Sequence, residues 1–114
     1  MDAKTDYGKI YVPKKPVKVV KKDGSKEEFN VQKVIDAVNK SAYRALTKFT
    51  PEDEAQICKS VVDSIDEMGE ELIPIAKMHN IVERALEGVK PIVAKSYRDY
   101  RNYKQEFVRM LDDV

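Results

Sequence analysis

The chain has no tryptophan, one histidine (His79), one cysteine (Cys58) and only four glycines in 114 residues. A single thiol excludes a disulfide framework, a zinc ribbon and any site built from several thiolates. Among Ile57, Val61 and Val62, with nothing nearby to lower its pKa, Cys58 reads as a small core residue rather than a nucleophile. There is no Gly-x-Ser-x-Gly elbow, no His-Glu-x-x-His pair and no glycine-rich phosphate loop of either common kind. Catalysis within this chain is therefore not expected. No stretch approaches the ~20 apolar residues of a membrane span, and residues 1–6 carry no apolar run of the signal-peptide kind. The expectation is a soluble, cytoplasmic chain.

Charge and apolar residues are plentiful, at 36% and 42%. That apolar share is enough for one compact domain with a real core, which at this size buries roughly two-thirds of its unfolded surface. The net charge of +1 argues against a general nucleic-acid binder. Its distribution is uneven. Residues 1–26 hold eight lysines against three acids, residues 50–72 eight acids against one base, and residues 90–109 six bases against two acids. Two basic clusters bracket an acidic middle.

Residues 1–16, with Gly8, Pro13 and Pro16, read as an extended or disordered leader. Val17 to Lys22 is β-branched and partly alternating, and Asp23-Gly24 follows at once. That pair signals a two-residue hairpin of type I′, with Lys26 to Phe29 as the return strand. Four helices are expected next. Asn30 caps the first, whose apolar positions are Val31, Val34, Ile35, Val38, Ala42, Ala45 and Leu46. Thr50-Pro51-Glu52-Asp53 starts the second and Gly69 ends it. Ile73-Pro74 opens the third, with Gly88 as its stop, and Pro91 begins the fourth. The fold class is α+β, mainly α: a β-hairpin packed on a four-helix bundle.

Two places could carry recognition chemistry. Lys21 and Lys22 precede the tight turn; successive strand residues point to opposite faces, so only one of the pair can face a given pocket. Lys33, in the first turn of the next helix, could converge on that pocket, where exposed helix N–H groups also favour an anion. The alternative is that these lysines only solvate a sheet edge. In the last helix, Tyr97, Arg101 and Lys104 share a face and Tyr100 adjoins it. A ring one turn before an arginine suits a nucleotide's base and phosphates, although tyrosines so spaced also serve as plain core or rim residues.

Three blocks, in order, resemble the ATP-cone, the allosteric nucleotide-binding domain at the N-terminus of many ribonucleotide reductases, which also occurs in the transcriptional repressor of their genes. They are Val19-Val20-Lys21-Lys22-Asp23-Gly24-Ser25-Lys26-Glu27-Glu28-Phe29-Asn30 with Lys33, the segment from Ile75 to Leu86, and Val93-Ala94-Lys95-Ser96-Tyr97-Arg98-Asp99-Tyr100-Arg101. The resemblance spans residues 17–104. It implies that the hairpin is a lid, with ATP or dATP, accompanied by Mg²⁺, between lid and helices. It further implies that Lys21 or Lys22, together with Lys33 and Arg101, meets the triphosphate. Val19, Glu27, Phe29 and Tyr97 are implied near the adenine, and His79 near the sugar, where it bears on telling ATP from dATP.

The implied function is allosteric control of a ribonucleotide reductase through subunit assembly. The implied partners are adenine nucleotides, the catalytic domain, other reductase subunits and further copies of the chain. Residues 105–114 read as a helical extension leading toward a catalytic domain, which makes the chain an excised regulatory domain or, failing that, a small free-standing one. The alternatives are a nucleic-acid-binding or transcriptional repressor module carrying the same cone, against which the lack of a zinc ribbon counts, and a helical adaptor without a ligand.

Overall fold

The computed structural model describes residues 6–100. Five helices and three short strands occur among them: α1 (Tyr7–Ile10), β1 (Lys18–Val20), β2 (Lys26–Glu28), α2 (Val31–Arg44), α3 (Pro51–Met68), β3 (Leu72–Pro74), α4 (Ile75–Glu87) and α5, helical over residues 91–100. The fold is mainly helical α+β.

The helices follow their local signals. Asn30 accepts a hydrogen bond from the Gln32 amide and caps α2. Thr50 and Asp53 form a reciprocal capping box at the start of α3, with Pro51 in the first turn, and Gly69 ends that helix in the left-handed conformation. The core is formed by Val31, Ile35, Val38 and Ala42 of α2, Ile57, Val61, Val62 and Ile65 of α3 and Met78, Ile81, Val82, Ala85 and Leu86 of α4, closed by Val93 and Ala94 of α5. Cys58 is fully buried within it, and that burial, with the Glu54 carboxylate adding, pushes its thiol up to about 12.

Four expectations are corrected. First, the sheet has three strands, not two. β1 is central, antiparallel to β2 and parallel to β3, so Val19 lies between Glu27 and Ile73. Ile73-Pro74 ends β3 instead of opening a helix, and α4 starts at Ile75 with Pro74 as its cap. Pro74 is tolerated because β3 is an edge strand, where a missing N–H leaves no ladder bond unmade.

Second, the hairpin turn is not type I′. Of its residues only Gly24 has positive φ (87°). Lys21 O accepts from the Gly24 amide (3.0 Å) and Lys21 N donates to Ser25 O (2.8 Å). These bonds fit a three-residue loop, a turn through Lys22-Asp23 followed by a left-handed glycine. Asp23 shapes it by accepting from both the amide and the hydroxyl of Ser25, which holds its carboxyl below the usual value.

Third, Leu46 is not on the buried stripe of α2. The helix closes through a left-handed turn at Leu46 (φ 59°), with the Thr47 amide reaching back to Ala42 O, and Leu46 is left 94% exposed. Fourth, the described part of the leader is not a free arm. Tyr7 is buried and packs with the core, and the Lys14 amide donates to Asp66 Oδ1 on α3.

Candidate functional site

The hairpin's two faces differ in burial. Val17 is buried, while Val19 and Phe29 are half-buried against the core; Lys18 and Glu28 point away and are exposed. Period-two alternation continues the core-facing row through Lys21 on β1's side and Glu27 on β2. At the rim of the apolar patch, Lys21 Nζ lies 3.1 Å from Glu27 Oε2, and Lys33 Nζ pairs with Glu27 Oε1. One half-buried carboxylate is therefore held between two ammonium groups, one from the hairpin and one from the first turn of α2. Lys22 lies exposed in the turn, outside this cluster.

A second cluster joins α4 to α5. His79 Nδ1 and the Tyr97 hydroxyl are 2.7 Å apart, with ring centroids separated by 5.8 Å. Which of the two donates depends on the imidazole tautomer. One turn along, Arg98 Nε lies 4.0 Å from Glu83 Oε1. Tyr97 is half-buried against the core, so its ring is anchored while its hydroxyl meets His79. β1 and β3 both pack on α4, so the sheet rests on the helix that carries His79.

Among the nine expected site residues the structure thus joins Lys21, Glu27 and Lys33 directly, keeps Val19 and Phe29 on the same face beside them, and pairs His79 with Tyr97. Arg101 lies outside the described residues. Tyr100 has a different employment from the one its spacing suggested: the Arg44 guanidinium of α2 sits 3.3 Å over its ring. Arg44, Lys95, Ser96 and Tyr100 line an open groove of about 570 Å³ between α2 and α5, which shares none of the nine residues.

Two neighbours of the first cluster gave only weak signals in the sequence. Asn30 read as a cap and nothing more, and Gln32 carried no signal at all. Gln32 in fact donates to Asp36 Oδ1 (3.1 Å) and accepts from the Tyr7 amide (3.0 Å), which ties the segment just before Lys33 to the N-terminal residues.

In chemical terms the first cluster is two ammonium groups sharing one carboxylate, next to an apolar surface. Among the described residues no group of three or more His, Cys, Asp or Glu side chains could hold a metal, and no helix is long and apolar enough to cross a membrane. A sequence profile of the ATP cone domain family matches residues 17–106. No curated protein matches the chain.

Proposed function

This chain belongs to the ATP-cone family of nucleotide-binding regulatory domains, and on that footing we propose that it senses ATP and dATP and controls a ribonucleotide reductase by changing subunit assembly. The observation that carries the nucleotide reading is the meeting of Lys21 and Lys33 on Glu27 at the edge of the Val19 and Phe29 surface. Two ammonium groups aimed at one point suit an oligophosphate, and an adjacent half-buried valine and phenylalanine suit a purine. In this proposal the phosphates take over the lysines from Glu27, and the base lies over Val19 and Phe29. Of the two hairpin lysines, the geometry supports Lys21. The His79–Tyr97 pair, anchored on the helix under the sheet, is the candidate for contact with the sugar. Arg101, which follows Tyr97 in the same sequence block, remains in the proposal as a phosphate ligand. A magnesium ion would be held by the phosphates and solvent, as is usual for this cation.

Regulation requires more than binding. ATP and dATP must favour different arrangements of the chain or its partners, because a ligand with equal affinity for two states shifts neither. The proposed partners are the reductase's catalytic domain, its other subunits and further copies of this chain.

A thermal melt with ATP, dATP, GTP and no ligand tests the reading. An adenine nucleotide at 100 times its dissociation constant stabilises by about 2.7 kcal/mol, which for a chain of this size is a midpoint shift of about 10 °C. Absence of any shift with both ATP and dATP would sink the sensor reading.

The internal ion pairs make a second prediction. Glu27→Gln leaves both lysines free, so inorganic tripolyphosphate should bind a few-fold more tightly, since each exposed pair is worth only about 0.2–1 kcal/mol. Titration calorimetry on the two proteins measures it. Weaker tripolyphosphate binding would mean that Glu27 supports the phosphates instead of competing with them.

A further inference from the structure

Residues 6–16 precede the region matched by the family profile, which starts at residue 17, and nothing in the nucleotide reading uses them. They are nonetheless built into the fold. Tyr7 is only 7% exposed. Its amide donates to Gln32 Oε1 (3.0 Å) and its hydroxyl to Glu54 Oε1 (3.1 Å), while Glu54 Oε2 accepts from Asn39 Nδ2 (2.9 Å). One tyrosine thus links the start of α2, the middle of α2 and the start of α3. Further on, the Lys14 amide donates to Asp66 Oδ1 (2.9 Å) on α3, and Val17 O accepts from the Phe29 amide (3.0 Å).

The closest approach falls at the helix start. A Cβ added at Gly8 would overlap Asn30 Oδ1 and lie 3.1 Å from its Cγ. That same Oδ1 accepts from the Gln32 amide and caps α2. Gly8 and Tyr7 therefore clasp Asn30 and Gln32, the residues on either side of the junction from which Lys33 emerges one position later. Asn30's side chain is short and committed to the cap, so it cannot retreat from an added methyl group without giving up the Gln32 amide.

We propose that residues 6–16 form a strap whose Tyr7–Gly8 corner fixes the β2–α2 junction and thereby positions Lys33 for the phosphates. Tyr7 and Gly8 act through Asn30, Gln32 and Lys33 and are positioning residues, not ligands. The inference rests on the nucleotide reading above for its consequence, but not for its geometry, and two measurements keep them apart.

Titration calorimetry with ATP, on the full chain at a temperature where every variant is folded, reads the consequence. Gly8→Ala should weaken ATP about tenfold, the scale of losing a helix cap, and Tyr7→Phe, which removes the hydroxyl bond to Glu54, should weaken it less. In a Lys33→Ala background Gly8→Ala should cost no further affinity, because its route to the ligand is gone. Unchanged ATP affinity in both single variants, or an equal Gly8→Ala loss with and without Lys33, overturns the proposal.

Amide hydrogen exchange without ligand reads the geometry alone. Gly8→Ala and Tyr7→Phe should lose protection at residues 31–34 while the centre of α3 keeps it. Unchanged protection, or a uniform loss over α2 and α3, overturns the strap. Failure of the unaltered chain to bind any adenine nucleotide would overturn the proposed function, and the exchange data would still decide on the strap.

Discussion

Lys33→Ala is expected to raise the dissociation constant for ATP by roughly 10- to 100-fold, the range of a charge-assisted hydrogen bond worth about 1.5–3 kcal/mol. The ligand-free midpoint should move by no more than about 4 °C. The side chain of Lys33 is 65% exposed and touches the rest of the protein through its pair with Glu27. An exposed pair of that kind contributes at most about 1 kcal/mol. Affinity and stability should therefore separate cleanly in this variant. Lys21→Ala should behave alike, since Lys21 meets the other oxygen of the same carboxylate. Lys22→Ala is the internal control: it lies outside the cluster and should change ATP affinity by less than about threefold, the effect of a screened surface charge. If Lys22→Ala proves the damaging substitution and Lys21→Ala the mild one, the phosphates sit on the other face of the hairpin.

The second large effect concerns stability. Ile73 is fully buried in β3, beside Val19 of β1. Ile73→Ala should destabilise the chain by about 2–5 kcal/mol, through lost transfer energy and the cavity left behind. That is a midpoint drop of at least 8 °C or so by the usual scaling for this size, and a large part of the ~5–15 kcal/mol that holds an ordinary domain together. Leu72→Ala, one residue earlier and 45% exposed, should cost under about 1 kcal/mol, as surface substitutions do. Denaturant melts of the two variants check both values. Equal effects would mean that residues 72–74 do not sit in the sheet as a strand with one face buried. Because Val19 belongs to the proposed base-contacting surface, Ile73→Ala should also weaken ATP at temperatures where it is folded, whereas Leu72→Ala should not.

Much of the helical framework was legible beforehand because its signals are local. Thr50-Pro51-Glu52-Asp53 and Gly69 bracket α3 by hydrogen bonds and backbone preferences that reach no further than one turn. Asn30 caps α2 for the same reason. The periodic apolar positions of α2 to α4 name the core, and the three sequence blocks name the family. Where a local rule competed with packing, it lost. Ile73-Pro74 looks like a helix start, but pairing with β1 claims it as an edge strand. Leu46 continues an apolar period, yet the helix closes one residue earlier and turns it outward. Asp23-Gly24 is a strong turn signal, and a turn does occur there. Its type differs because a three-residue loop brings Lys21 and Ser25 together.

The candidate site divides along the same line. The presence of a basic hairpin, a following lysine and a tyrosine-bearing last helix is a property of the sequence alone, as is the cancellation that brings the net charge to +1. The choice of Lys21 over Lys22, the capture of Lys21 and Lys33 by Glu27, and the pairing of His79 with Tyr97 belong to the tertiary structure. So does the clasp of Tyr7 and Gly8 on the start of α2. Each depends on which face of a strand or helix meets a neighbour 6 to 47 residues away. Caps and periodicities are decided within one turn of the chain; faces and registers are decided only when distant elements bury their apolar surfaces together.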